Sequence, residues 1–298
     1  MKFLPNFLCV GTQRAGTTAL FSALRLHPEI CLTPYKETKF FLDEEKFSRG
    51  LEFYLNQYYK NCGDEKIIGE FDPDYMYFEE VPARIKQVLG DKVKLLFILR
   101  DPVSRAYSHY WLTKRRGLEE LSFEEAIKVE KQRLSKGYFE RLHFSYTDRG
   151  FYSRQIERFL KLFPRKNMHF MLFEKLIDSP FPEIKRLLLF LEVDPSWAGT
   201  IAENFTPKNV KGLSRFTALS RFIFKDNPIK KIFRKILPYR LRKKFTEKLF
   251  WLIEEKNMKP FSPPPLQENL KRNLKLLYAE EVEKLEDILD IDLSIWKR

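Results

Sequence analysis

The segment FLCVGTQRAGTTALFSAL, residues 7–24, sets a short apolar run before a loop bounded by Gly11 and Gly16 and a helical pattern after it. Such a loop binds phosphate through backbone N–H groups and the N-terminus of a helix. Gly16 lets a ligand approach the backbone closely, Ala15 adds no bulk, and the Thr17 and Thr18 hydroxyls supply further donors. An ordinary strand–turn–helix connection would need one glycine only. A nucleoside triphosphatase loop would place Lys and then Ser or Thr after the second glycine. Here Thr17 and Thr18 follow instead, and the loop's one cation is Arg14.

A second constellation, LLFILRDPVSRAYSHYW at residues 95–111, places Arg100 at the end of an apolar run and Ser108 two turns into the following helical pattern. An arginine fork and a hydroxyl so spaced suit a separate phosphate. The alternative pairs Arg100 with a carboxylate and leaves Ser108 solvated. A third segment, TPYKETKFF at residues 33–41, holds Glu37 within apolar and aromatic neighbours. Burial would raise its pKa and suit it to taking a proton from an alcohol or amine. The plainer reading is a salt bridge from Glu37 to Lys36 or Lys39.

These residues need elements to position them. Apolar runs at 6–10, 29–33, 66–70, 94–99 and 167–173 read as strands. Helical patterns lie near 17–26, 51–59, 82–89, 102–115, 123–135, 151–163 and 180–191. Asp101 before Pro102 is an N-cap with proline at the first helical position, and Ser122 with Glu125 forms a capping box. Strands separated by helices predict a mostly parallel sheet covered on both faces, an α/β fold of three layers. After the triple proline at 263–265 a long helical pattern runs from Leu266 toward Leu289. The expected organisation is a single domain over 1–298: a nucleotide-binding core at 6–216 and a helical C-terminal extension at 217–298.

Taken together, the two phosphate motifs resemble those of the 3′-phosphoadenosine 5′-phosphosulfate (PAPS) dependent sulfotransferases. TQRAGTTAL resembles their 5′-phosphosulfate loop, and RDPVSRAYSHY their 3′-phosphate site. LHPEI, KETKFF, IGEFDPDY and the ending LEDILDIDLSIW are similar too, most closely to the carbohydrate type, including the heparan sulfate and bacterial branches. The resemblance implies a P-loop-like fold and transfer of a sulfuryl group from PAPS, as co-substrate, to a hydroxyl or amine of a carbohydrate or glycoconjugate. It implies no magnesium, so the missing triphosphatase lysine is no loss. It assigns the catalytic base to Glu37, the acceptor or sulfonate region to Lys39, and the leaving phosphate to Arg14, where many relatives have lysine. Nucleotide contacts fall to Arg14, Ala15, Gly16, Thr17, Thr18, Arg100 and Ser108. The segment NVKGLSR resembles the basic closing segment more loosely, through Lys211, Gly212 and Arg215. One departure stands out: heparan-type relatives commonly have Lys where Phe71 and Asp72 precede Pro73.

Composition bounds the rest. The 298 residues are 44% hydrophobic with 28 Phe, ample for a sizeable core. A formal charge of +13 implies an anionic partner. Residues 225–248 carry ten basic and two acidic side chains around an apolar set, a candidate contact for an anionic membrane or polymer; no specific nucleic-acid site is read. The four histidines form no metal spacing, and no metal is expected. Cys9 and Cys31 lie in apolar runs and read as core thiols, and with Cys62 they make no disulfide framework. With no signal peptide or membrane span legible, the expected location is cytoplasmic, with peripheral membrane contact through 225–248. Two rivals stand beside the sulfotransferase reading. A P-loop kinase would need the loop lysine, and a non-catalytic binder of acidic polymers would use the basic surface alone.

Overall fold

Five apolar strands form one sheet in the structure, a computed structural model that describes residues 4–207, 212–214 and 258–297. They are β1 (Phe7–Gly11), β2 (Ile30–Leu32), β3 (Ile67–Phe71), β4 (Lys94–Leu99) and β5 (Met168–Leu172), within a residue or two of the apolar runs that predict them. All neighbours run parallel, as expected, and their order is β2-β3-β1-β4-β5. Every residue of β1 and β3 is buried, which is why these strands are apolar throughout rather than alternating. Gly69 lies opposite Phe7 in the register. A Cβ there would sit 2.2 Å from the Phe7 carbonyl oxygen, so only glycine lets β3 approach β1.

The helices before β4 are α1 (Thr17–Leu24), α2 (Glu44–Phe47), α3 (Gly50–Tyr58) and α4 (Val81–Leu89). After β4 come α5 (Pro102–Arg115), α6 (Phe123–Lys128), α7 (Glu130–Leu134), α8 (Tyr138–Phe144) and α9 (Tyr152–Leu160). After β5 come α10 (Phe173–Asp178), α11 (Pro180–Leu191) and α12 (Ala198–Asn204). A two-residue pair, β6 (Leu213–Ser214) with β7 (Met258–Lys259), precedes α13 (Glu268–Leu289) and α14 (Ser294–Lys297). The caps legible in the sequence are made. Ser104 N–H donates to Asp101 Oδ2 at 2.9 Å, and Ser122 and Glu125 close a reciprocal capping box. The helix expected over 123–135 is broken at Val129, whose φ of −98° and ψ of 1° separate α6 from α7.

The reading of Cys31 as a core thiol is corrected: Cys31, on β2, forms a disulfide with Cys62, with Cα atoms 5.8 Å apart. Sequence spacing alone could not bring an edge strand against the turn after α3. Cys9 is the buried free thiol, as expected.

The chain divides into two compact units, each gathered from separate stretches. The first comprises Met1–Arg105, Phe151–Lys208 and Lys275–Arg298 and contains the five-stranded sheet. Its core joins Phe7, Cys9, Leu20, Leu24, Phe71, Leu96 and Ile98 to Leu187, Leu188 and Ile201. The end of the chain belongs here as well. Ser153 N–H and Oγ donate to Glu281 on α13 at 2.6 and 2.8 Å, and Trp296 Nε1 donates to Glu174 at 3.0 Å. The second unit comprises Ala106–Gly150 and Asn209–Leu274. There the buried Glu119 accepts from Arg133 and from the Tyr146 hydroxyl, and the buried Glu130 accepts from Thr147 and Asp148.

Within the first unit, the connection from β1 leads to β2 on one side of the sheet and that from β4 leads to β5 on the other. The carboxyl ends of β1 and β4 therefore flank a topological switch point, where parallel α/β sheets form their ligand crevice.

Candidate active site

The glycine-bounded loop leaves the carboxyl end of β1 at this switch point. Thr12 N–H donates to the Ile98 carbonyl on β4 at 2.9 Å, tying the loop to both strands. Arg14 and Gly16 take left-handed φ values of 75° and 74°. For arginine that conformation costs about 1–2 kcal/mol, an expense that folded chains retain mainly where function needs it. Gly16 is the N-cap of α1 and offers no side-chain cap, and the first turn of α1 carries no acidic residue. The opening N–H groups of a helix have no intrahelical acceptor, so this end is shaped for an anion. A Cβ on Gly16 would lie 2.9 Å from Phe173 Cε2. Ala15 and Thr17 are buried and Thr18 is exposed.

Arg100 follows directly on β4. Its Nη1 donates to the Arg14 carbonyl at 2.8 Å, its guanidinium lies 4.7 Å from the centre of the Phe173 ring, and its own carbonyl accepts from the Tyr152 hydroxyl at 2.8 Å. Burial presses its pKa down, against the pull of Glu174, Tyr152 and Asp101, but an arginine remains charged. Ser108 lies on α5 in the second unit, half-buried. Gly212 is buried, with φ 99°, and donates to the Phe261 carbonyl at 2.9 Å. Lys211, Arg215 and the basic segment 225–248 lie outside the described residues.

Glu37 sits beside the carboxyl end of β3, where its N–H donates to the Phe71 carbonyl at 2.8 Å. The next residue, Asp72, donates its own N–H to Cys9 on β1 at 2.9 Å. Segments carrying Glu37, Arg14 and Arg100 are thus pinned to the same ends of three neighbouring strands. Glu37 and Lys39 both adopt left-handed φ, 66° and 57°. Lys36 Nζ lies 2.6 Å from Glu37 Oε1 and Lys39 Nζ 3.3 Å from Oε2. The salt bridges weighed from the sequence are therefore both present, and 39% of the Glu37 side chain stays accessible.

The expected upward pKa shift of Glu37 is not found. Burial does push it up, but the Lys36 and Lys39 ammonium groups outweigh that and hold it at about 2. Glu37 is ionised throughout the neutral range, ready to accept a proton but a weaker base than an unpaired carboxylate. Lys39 is held well above its usual range because Asp72, Asp74 and Glu37 together outweigh its burial.

The sequence reading missed the floor beneath this loop. Lys39 Nζ lies 2.8 Å from Asp72 and 2.5 Å from Asp74, both carboxylates buried. Below them the buried Glu70 accepts from Tyr54 at 2.8 Å and Tyr75 at 3.0 Å, and Tyr75 also meets Thr38 Oγ1 at 3.2 Å. Burial, with Asp72 close by, raises Glu70 to about 7. Two acids flanking Pro73 straight after a buried parallel strand were the available signal.

Residues 4–257 match the family model described as sulfotransferase domain. Mouse heparan sulfate glucosamine 3-O-sulfotransferase 5 is 31% identical over 193 residues, 64% of this chain and 54% of that protein. Human heparan sulfate glucosamine 3-O-sulfotransferase 3B1 is 32% identical over 190 residues, 64% of this chain and 46% of that one. The chain spans about half the length of these curated relatives. A crystal structure of a sulfotransferase from Alicyclobacillus acidocaldarius superposes with a TM-score of 0.70 at 23% identity, covering 99% of this chain and 100% of that one; at that identity the likeness speaks for the fold.

Proposed function

Because the chain belongs to the sulfotransferase domain family, we propose that it transfers a sulfuryl group from PAPS to a hydroxyl or amine of a carbohydrate or glycoconjugate. The observation that carries the reading is the joining of the β1 loop to the β4 arginine through the Arg100–Arg14 bond of 2.8 Å, with Glu37 pinned beside the neighbouring β3 end. The loop backbone at Gly16, Thr17 and Thr18 would hold the 5′-phosphosulfate, and Arg100 the 3′-phosphate. Ser108 keeps its place in that second contact on the resemblance of its motif. Lys211, Gly212 and Arg215 keep theirs on the same ground.

In this reading Glu37 takes the proton from the acceptor as its oxygen or nitrogen attacks sulfur. The S–O bond to the donor's phosphate breaks, and Arg14 stabilises the negative charge that gathers on the leaving oxygen. Arginine suits that charge but cannot protonate it. Lys39, bound to three carboxylates, acts as a fixed cation. The fit of PAPS rests on the donor set: a helix N-terminus without a side-chain cap, a glycine that leaves room for close approach, and two arginines, Arg14 in the loop and Arg100 at the end of β4. A kinase reading lacks the loop lysine, and a polymer binder would have no use for this constellation. The heparan sulfate named for the relatives makes an anionic glycan the first acceptor to try.

Among the described residues no helix is long and apolar enough to cross a membrane. A cytoplasmic location is opposed by the Cys31–Cys62 disulfide, since such bonds persist in oxidising compartments. We favour an oxidising compartment, with residues 225–248 as the candidate membrane or polymer contact.

The test is transfer of labelled sulfate from PAPS to heparan sulfate and to glycans extracted from the source cell, by the unaltered chain and by Glu37→Gln. Labelled glycan is expected with the former and a loss of about 10²- to 10⁴-fold with the latter. Full turnover by Glu37→Gln would remove the base assignment, and no transfer to any glycan would remove the acceptor class.

A further inference from the structure

Lys39 is held at two points by one buried side chain. Asp72 Oδ2 accepts from the Lys39 backbone N–H at 2.9 Å, and Oδ1 accepts from its ammonium at 2.8 Å. Asp72 is fully buried, and its own N–H is bonded to Cys9 on β1, so the clamp is part of the sheet. Its target is strained: Lys39 takes φ 57° and Glu37 φ 66°, a region that residues other than glycine occupy only when their surroundings force it. Between them Thr38 is pinned by the Tyr75 hydroxyl and by Lys46 Nζ, which donates to its carbonyl at 2.7 Å.

We propose that Asp72 is a positioning residue for the transfer reaction: it fixes the turn at Lys39 and draws the lysine ammonium away from Glu37. The inference rests on Glu37 being the base. The Lys39 ammonium lies 2.8 Å from Asp72 and 2.5 Å from Asp74 but 3.3 Å from Glu37. Its charge is divided among three acids, with Glu37 the most distant. Without the Asp72 charge the ammonium would move toward Glu37, which Lys36 already holds at 2.6 Å. Closed between two lysines, Glu37 would be less basic and its oxygens less open to an acceptor proton. The groups that set this balance are Lys36, Lys39 and Lys46 from the loop side and Glu70, Asp72 and Asp74 from the β3 side. Asp72 need not touch the acceptor for any of this.

The test is a double-mutant cycle on the full chain, with PAPS and the extracted source-cell glycans as acceptor. Asp72→Asn preserves size and one hydrogen-bond acceptor while removing the charge. It should lower kcat by about 10- to 100-fold, the cost of a misplaced catalytic group, with KM for PAPS and the melting temperature nearly unchanged. Added to Glu37→Gln, it should cost nothing more, because its effect passes through Glu37. Multiplying losses in the double variant, or full kcat in Asp72→Asn beside an impaired Glu37→Gln, would overturn this inference and leave the base standing. Full kcat in Glu37→Gln would overturn the base itself. Should Asp72→Asn fail to fold, Asp74→Asn in the same cycle asks the same question, since Asp74 holds the same ammonium.

Discussion

Arg100 donates a hydrogen bond from Nη1 to the backbone carbonyl of Arg14 at 2.8 Å, across 86 positions of sequence. One arginine thereby braces the loop that contains the other. The Phe173 ring lies 4.7 Å from the Arg100 guanidinium, and a Cβ on Gly16 in the same loop would lie 2.9 Å from it. The shape of the β1 loop and the placement of Arg100 at the end of β4 are therefore coupled.

Arg100→Ala is expected to weaken adenosine 3′,5′-bisphosphate more than AMP. A charge-assisted contact is worth about 1.5–3 kcal/mol, so the preference for the 3′-phosphate should narrow by at least tenfold. Because the Arg14 carbonyl also loses its donor, AMP should weaken somewhat too. Thermal-shift titration with both nucleotides measures the two effects separately, and an undiminished preference would place the 3′-phosphate elsewhere.

Gly16→Ala should damage the loop twice over. The left-handed φ of 74° costs alanine about 1–2 kcal/mol, and the added methyl meets Phe173 at 2.9 Å. Nucleotide affinity should fall by about tenfold or more, together with the melting temperature. Wild-type affinity in this variant would mean that the loop does not hold the nucleotide.

Glu70 makes stability depend on pH. The folded carboxyl keeps its proton up to about 7 against an ordinary value of 4.5, so between those values the folded state binds more protons than the unfolded one. Stability from this group is then fully present below about pH 4.5 and is lost as pH rises toward 7, in all about 3 kcal/mol. Asp72, raised by burial to about 6, acts in the same direction. Urea unfolding across that window should show the decline, and Glu70→Gln, which preserves the Tyr54 and Tyr75 contacts, should flatten most of it. An equal slope in both proteins would assign the effect to other groups.

The Cys31–Cys62 bond closes a segment of 31 positions that includes the Glu37 loop and α3. Cys62→Ser should therefore lower unfolding free energy by about 2–4 kcal/mol. Reductant should do the same to the unaltered chain and nothing further to the variant. Identical urea midpoints with and without reductant would show that the bond contributes no stability.

Much of this protein was legible in its sequence because the signals are local. Apolar runs bounded by glycine or proline marked the strands, Gly11 and Gly16 marked the loop between β1 and α1, and Asp101 and Ser122 marked helix starts, each depending on neighbours a few residues away. Parallel pairing also followed, since helices between strands favour crossover connections, whereas the strand order came from the fold. What the sequence by itself did not determine was how charge would be distributed around Glu37. An aromatic setting argued for a raised pKa, yet the fold places two lysines on that carboxylate and draws one of them toward acids 33 and 35 positions away. Electrostatic balance depends on every charge within a few ångströms, and the pairing of β2 with β3, which sets the loop after β2 beside the end of β3, decides which charges those are. Cys31 teaches the same lesson: its apolar run said core, and only the tertiary fold brought Cys62, in the turn after α3, within bonding reach of it.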